Sequence, residues 1–430
     1  EGVGEDARVA NLSYLQMGWY VDQMKRDAYA SKALPISLHP KDYMNGRMDY
    51  AEILDLNDNK PMELSQANQI LIDNDANIRV LHDETIVHFQ SPTAWVQTNI
   101  VEKEILTYQG KKSSSELKFT YAPSTRSVQI VSATVTNKDG KKFSVTPKEI
   151  NEMDCGWASS APRYPASKIL VVNLPGVEIG SVIRTVVVRT VTKAPTAYAG
   201  AWTFGGRSPV DFEQYEYHVP NGMRFASPIQ SRTFLKAEGR ICKVVTNATE
   251  RVFTWGMKNP AREPNEPSQP PSTRWRPSVA VSAQDWPSYG RELVDALAAA
   301  RAAGSEQVRA KAKELVKDCT TPEARQLAIR TYLAHHLRVA GPGLFELPFD
   351  QAFTAPDTVL AEGYGSDADR MNLAFAMFEA AGFDCSYILA ADDSHGFRKR
   401  EKTCRALPSV GAFSSLLLRA VWRSGWLPFC

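Results

Sequence analysis

A chain of 430 residues is too long for one hydrophobic core and, at roughly 150 residues per domain, implies about three structural units. Its 43% hydrophobic and 23% charged residues exclude a disordered, fibrous or collagen-like chain, and 50 Lys plus Arg against 48 Asp plus Glu leave a net charge of only +2, too weak a field to hold nucleic acid or an acidic membrane. The longest apolar stretches, residues 294–303 and 413–421, are interrupted by Asp, Arg or Ser and fall short of the ~20 residues that span a bilayer, so no transmembrane segment is expected.

Residues 1–77 form an N-terminal segment, part helical and otherwise unassigned. Its helix-like stretch, Ala7 to Ala28, is followed by irregular sequence rich in Asp and Asn. The first 30 residues contain no basic run followed by an apolar core, hence no signal peptide. Over 78–259 the apolar period becomes two, as in Ile86–Phe89, Ser127–Val131, Ser181–Val188 and Lys243–Trp255. Asp139-Gly140 between two such runs marks a hairpin, and Pro220-Asn221-Gly222 marks a turn. Many short strands with close turns predict a β-sandwich-like N-terminal domain.

Residues 260–287 hold seven prolines and few aliphatics, which reads as a Pro-rich connector. Helical patterns fill 288–430. The first runs from Tyr289 to Ala303 and stops at Gly304; Ser305 is placed as the cap of a second. Thr321-Pro322-Glu323 opens a third, whose stripe is Ile329, Tyr332, Leu333, His336 and Leu337, with at least one of His335 and His336 turned to the core. A fourth, about Ala368 to Ala381, carries Met371, Ala374, Phe375, Phe378 and Ala381 as its stripe. Strands at Tyr387–Ala391 and Phe413–Val421 follow.

The run Gly363-Tyr364-Gly365-Ser366-Asp367-Ala368-Asp369-Arg370, an apolar helix, then Ala380-Ala381-Gly382-Phe383 and a strand resembles the core of the bacterial transglutaminase-like superfamily. Leu174-Pro175-Gly176-Val177-Glu178-Ile179-Gly180-Ser181, with Ser132-Ala133 and Asp139-Gly140, resembles the β-rich domain of unknown function that precedes such domains in exported bacterial proteins. Together the resemblance covers about 85–425. It implies an α+β, papain-like domain over 288–430, whose third triad residue either lies past Cys430 or is missing, and an exported protein of the periplasm or cell surface. In that superfamily a Cys at the helix start has its thiolate stabilised by the helix dipole and a neighbouring imidazolium.

Aligning Gly365 to Asp369 on the Gly-x-Cys-x-Asp turn puts Asp367 at the nucleophile position. Aligning Phe413-Ser414-Ser415 on the Phe-x-His strand puts Ser415 at the general-base position. Both sites thus read as degenerate, and Asp367 reads as a helix cap. Substitute catalytic residues are Cys385, at a strand start with no helix N-terminus to lower its pKa, and His395, in the loop 392–396. Cys385 and Cys404 flank a polar loop and are candidates for a disulfide in an exported protein. Trp157, Trp202, Trp255, Trp275 and Trp286 either line a groove or pack in cores. With six scattered cysteines and no Cys-x-x-Cys, P-loop, Gly-x-Gly-x-x-Gly, His-Glu-x-x-His or EF-hand loop, no metal or cofactor is expected. The chain reads as a pseudoenzyme that binds or scaffolds a polypeptide or cell-envelope polymer. An active thiol peptidase or acyl transferase, and a purely structural envelope protein, are the alternatives.

Overall fold

The computed structural model describes residues 76–225, 228–263, 276–390, 407–408, 413 and 415–422. The helix expected at 7–28, His395, Cys404 and Trp275 lie outside them.

Residues 78–282 are dominated by strands: β1 (Ile78–Ser91), β2 (Ala94–Ile105), β3 (Glu116–Tyr121), β4 (Arg126–Thr136), β5 (Lys142–Ser144), β6 (Ile150–Asp154) and β7 (Lys168–Asn173) come first. Then follow β8 (Val182–Val191), β9 (Ala199–Thr203), β10 (Phe212–Pro220), β11 (Ile229–Gln230), β12 (Arg240–Thr246), β13 (Glu250–Lys258) and β14 (Ser278–Ser282). One eight-stranded sheet runs β12-β13-β10-β1-β2-β8-β4-β5, and two three-stranded sheets run β11-β14-β9 and β3-β7-β6. The Asp139-Gly140 turn joins β4 to β5, with Gly140 at φ 77°. Lys243–Trp255, read as one run, is two strands, because Asn247 Oδ1 accepts from the Thr249 and Glu250 amides and closes a hairpin.

Register places both small sheets on one face of the large one. Val87 stands opposite Gln97, Trp95 opposite Val191, and Ile183 opposite Val135, so these residues share a face through the period of two. Towards β13 that face carries Val87, Phe89, Tyr217, Phe253 and Trp255, packed with Phe204 of the loop after β9 and Val279 and Val281 of β14. Towards β4 it carries Ile105, Val135 and Ile183, packed with Val172 of β7 and Leu174. The architecture is a β-rich, multi-sheet layering rather than a simple two-sheet sandwich. Trp255 is 1% exposed and Trp202 packs edge-on to Tyr217, so both belong to the core and not to a groove. The 260–287 stretch is also more than a connector: β14 lies within it, and Val279, Ala280 and Val281 are buried.

The C-terminal part holds helices α1 (Trp286–Ala303), α2 (Glu306–Leu315), α3 (Pro322–His336), α4 (Phe349–Ala352), α5 (Pro356–Glu362) and α6 (Asp367–Ala380), with β15 (Arg338–Val339), β16 (Tyr364–Gly365), β17 (Phe383–Ala390) and β18 (Ser415–Trp422). Asp285 caps α1 by accepting from the Ser288 amide, and Thr321 caps α3 by accepting from Ala324. Ser305 occupies the cap position of α2 without making the side-chain bond; Asp357 of α5 supplies it from across the fold, accepting from Val308 N at 2.9 Å. Helix α6 is central. Eight of its 14 residues are buried, and Leu373, Ala376 and Met377 are sealed completely, whereas the expected stripe residues Met371 and Phe375 are only half-buried. A helix packed on several sides has no single wet face, so one apolar stripe could not describe it. Among the described residues no helix is long and apolar enough to cross a membrane.

Candidate functional site

The start of α6 is built by three short elements. Helix α5 ends at Gly363, whose φ of 70° is the left-handed cap that spares a side chain its clash. Tyr364-Gly365 then pairs in parallel with Arg338-Val339, which delivers Ser366 to the helix start. The Ser366 hydroxyl accepts from the Asp369 amide at 3.1 Å, so Ser366 is the cap. Asp367, read as the cap, is instead the first helical residue. Its side chain is 79% exposed, with Arg370 3.8 Å away. No hydrogen bond or ion pair joins it to a His or Cys among the described residues.

Asp369, at 0% exposure, is the group the local architecture is built around. Its Oδ2 accepts from the Tyr164 hydroxyl at 2.5 Å and its Oδ1 from the Thr354 amide at 2.8 Å, with the Arg163 guanidinium at 3.6 Å. Tyr164 Oη in turn accepts from the Ser366 amide at 2.8 Å and from Arg163 Nη2 at 2.9 Å. Arg163 also donates to Thr354 Oγ1, to the Tyr364 carbonyl and to Glu362, and stacks on the Tyr364 ring. Burial raises the Asp369 pKa, opposed by the bonds from Tyr164 and Thr354 and by Arg163. Burial and the adjacent carboxylate push the Tyr164 hydroxyl up to about 12, so it stays a donor. Residues 161–164 belong to the β-rich part, so this network also fastens the two parts together. Arg338 to the Ser160 carbonyl, Trp157 to Glu346, and an apolar cluster of Ala122, Ala161, Tyr164, Ala340, Leu347 and Ala352 reinforce the joint.

A second buried polar group lies farther along α6. Asn372 Oδ1 accepts from Arg301 at 2.7 Å and from Tyr387 Oη at 2.7 Å, and its amide donates to the Leu297 carbonyl. Sequence reasoning missed both networks. Asp369 falls on the Asp of the Gly-x-Cys-x-Asp turn, but nothing local links it to Tyr164, 205 positions away.

Ser415 is exposed at the first position of β18, opposite Ala390. Its neighbour Leu416 packs in the same cluster as Ala368, the neighbour of Asp367. The two aligned positions are thus at one end of the C-terminal part. Cys385 is not with them. It pairs with Ala420 and packs among Ala381, Phe383 and Trp422, at the far end of α6. The helix spans roughly 20 Å and β17 returns only about 7 Å of that before Cys385. His335 and His336, expected to include a core residue, are both exposed. Each imidazole faces the carbonyl four residues back, at 2.8 Å and 2.9 Å, because the last turn of α3 leaves those positions to solvent. Among the described residues no three His, Cys, Asp or Glu side chains group as a metal site. The helix start therefore offers an exposed carboxylate, an engaged hydroxyl and a buried, hydrogen-bonded acid. That set can position or bind a ligand; it contains no thiol paired with an imidazole.

Residues 92–263 match the family described as a domain of unknown function with a solved structure, DUF3857, and residues 1–147 match the one described as TMEM260-associated domain 2. No curated protein matches the sequence. Among solved structures, a crystal structure titled "putative protease", from Parabacteroides distasonis ATCC 8503, is similar with a TM-score of 0.65 and 17% identity, over 80% of this chain and 65% of that one. The chain thus spans about two thirds of that protein's length, and at this identity the likeness is one of fold. An M1 zinc metallopeptidase from Deinococcus radiodurans (11% identity, 47% of this chain and 42% of that one, TM-score 0.25) carries no argument about this chain. Nor does a CBM3a-L domain from a Clostridium thermocellum scaffoldin (13% identity, 27% and 68%, TM-score 0.17). The chain contains a DUF3857 domain, and its β-rich, multi-sheet fold with a helical C-terminal part is shared with the Parabacteroides structure.

Proposed function

We propose that the protein is a catalytically degenerate transglutaminase-like protein that binds or scaffolds a polypeptide or a cell-envelope polymer. One observation carries this reading: the helix start that resembles the nucleophile turn of that superfamily presents Asp367 to solvent, and the strand start that resembles its general-base position presents Ser415. A carboxylate with no imidazole partner has nothing to take and return a proton. The DUF3857 domain supports the reading, since the resemblance pairs such a domain with a transglutaminase-like one. Export to the periplasm or cell surface is part of the same proposal and is checked by cell fractionation.

The test sets the unaltered chain beside an Asp367→Cys plus Ser415→His variant in peptidase and amine-transfer assays. The expected result is no turnover by the unaltered chain. Turnover that thiol alkylation abolishes would overturn the proposal and favour an active thiol peptidase with displaced residues. That alternative pairs Cys385, at the opposite end of α6 from Asp367, with His395, which lies outside the described residues.

A further inference from the structure

The inner face of the eight-stranded sheet is not wholly covered. Between its two small sheets it leaves a cleft of about 260 Å³. Register defines the floor: Trp95, Val191 and Arg126 stand side by side on β2, β8 and β4, and Gln97, Arg189 and Val128 form the next row. Tyr121 at the end of β3 and Tyr198 ahead of β9 line it, and Phe345 reaches it from the C-terminal part.

Two cations share this floor. Arg189 lies directly opposite Val128, so Arg126 is its diagonal neighbour, roughly 7 Å away at Cβ and close enough for both guanidinium groups to meet one ligand group. Neither has an ion pair or a side-chain hydrogen bond among the described residues, and Arg126 Nε is buried without a partner. Arg189 lies over the Phe119 ring, and no Asp or Glu lines the cleft. The carboxylate whose field reaches Arg126 is Glu346, whose oxygens are taken by the Trp157 indole at 3.0 Å and the Gly343 amide at 3.2 Å. Burial lowers the pKa of both arginines, for Arg126 by more than the field of Glu346 restores. Other cations at the same junction are paired, Arg163 with Glu362 and Lys193 with Asp350.

We propose that this cleft binds the terminal carboxylate of a peptide-like ligand, clamped by Arg126 and Arg189, with the apolar side chain of the last residue among Trp95, Tyr198 and Phe345. A planar guanidinium fork matches a carboxylate two bonds at a time, and the aromatic walls suit an apolar body. The volume lies just below the ~300 Å³ at which pockets take whole small molecules, so it suits an end group. The proposal does not rest on the role given to the helix start, because none of these residues belongs to it.

The experiment is titration calorimetry of the full chain with N-acetyl-phenylalanine, with its amide and with inorganic phosphate. The free acid is expected to bind at least tenfold more tightly than the amide. Arg126→Gln and Arg189→Gln are each expected to weaken it at least fivefold, and the pair to abolish it. Arg126→Lys, which keeps the charge but not the fork, is expected to weaken it too and serves if the Gln variants lose their thermal transition. Equal binding of acid and amide, no heat with the acid at 20 mM, or unchanged binding by the substituted chains would overturn the proposal. Tighter binding of phosphate than of the acid would overturn the carboxylate assignment.

Discussion

Replacing Asp369 by Ala removes the acceptor that ties the start of α6 to the β-rich part. The Tyr164 hydroxyl and the Thr354 amide lose their partner in a site with 0% exposure at Asp369, and each buried polar group left unpaired costs about 1–3 kcal/mol. Arg163 keeps Glu362, Thr354 and the Tyr364 carbonyl, which spares the larger penalty of an abandoned buried charge. The sum is a loss of about 2–6 kcal/mol. Tyr164→Phe, which takes away the donor to Asp369 and the acceptor of the Ser366 amide, should cost about 2–3 kcal/mol. Because both variants break one network, the double variant should fall short of the sum by at least ~1 kcal/mol. Urea unfolding of the full chain, followed by both far-ultraviolet circular dichroism and tryptophan fluorescence, measures the midpoints. Hydrogen exchange at the Ser366 and Thr354 amides gives a local readout that should accelerate in both variants. Additivity within ~0.5 kcal/mol, with unchanged exchange at those amides, would refute the reasoning.

Glu213 supplies a pH prediction. Burial, aided by Asp83, lifts its pKa from 4.5 to about 7 despite bonds from the Gly205 amide and Tyr215 and the field of Arg276. The folded state then holds the proton more tightly than the unfolded one, so this group's contribution is greatest below pH ~4.5 and is lost as pH rises towards 7, by about 3 kcal/mol. Glu213→Gln should flatten that part of the stability-pH curve; parallel curves for the two chains would contradict it. Ser366→Ala should cost about 1 kcal/mol and Asp367→Ala no more than ~0.5 kcal/mol, since only Ser366 caps α6; the reverse order of urea midpoints would return the cap to Asp367. Gly341→Ala should destabilise by about 1–3 kcal/mol, because its φ is 130° and an added Cβ would stand 2.5 Å from the Tyr164 ring; an unchanged melting temperature would show that the ring yields freely.

Periodicity and turn chemistry in the sequence by themselves determined the β-rich region, the hairpin at Asp139-Gly140, the end of α1 before Gly304 and the start of α3, because these depend on residues within a few positions of one another, whereas α1 begins at Trp286, three residues ahead of the expected Tyr289, where Asp285 caps it. They also placed the corner at Ser366-Asp367. What they did not contain is which of the two residues caps the helix. That depends on backbone angles delivered by β16, which pairs with a strand 26 positions earlier. The same holds for Asp357 capping α2, for β14 within a proline-rich stretch, and for Asp369 meeting Tyr164. The paired arginines of the cleft look, in sequence, like any two surface cations. Only the register of β4 on β8, and the small sheets packed to either side, put them on one partly desolvated floor without a carboxylate.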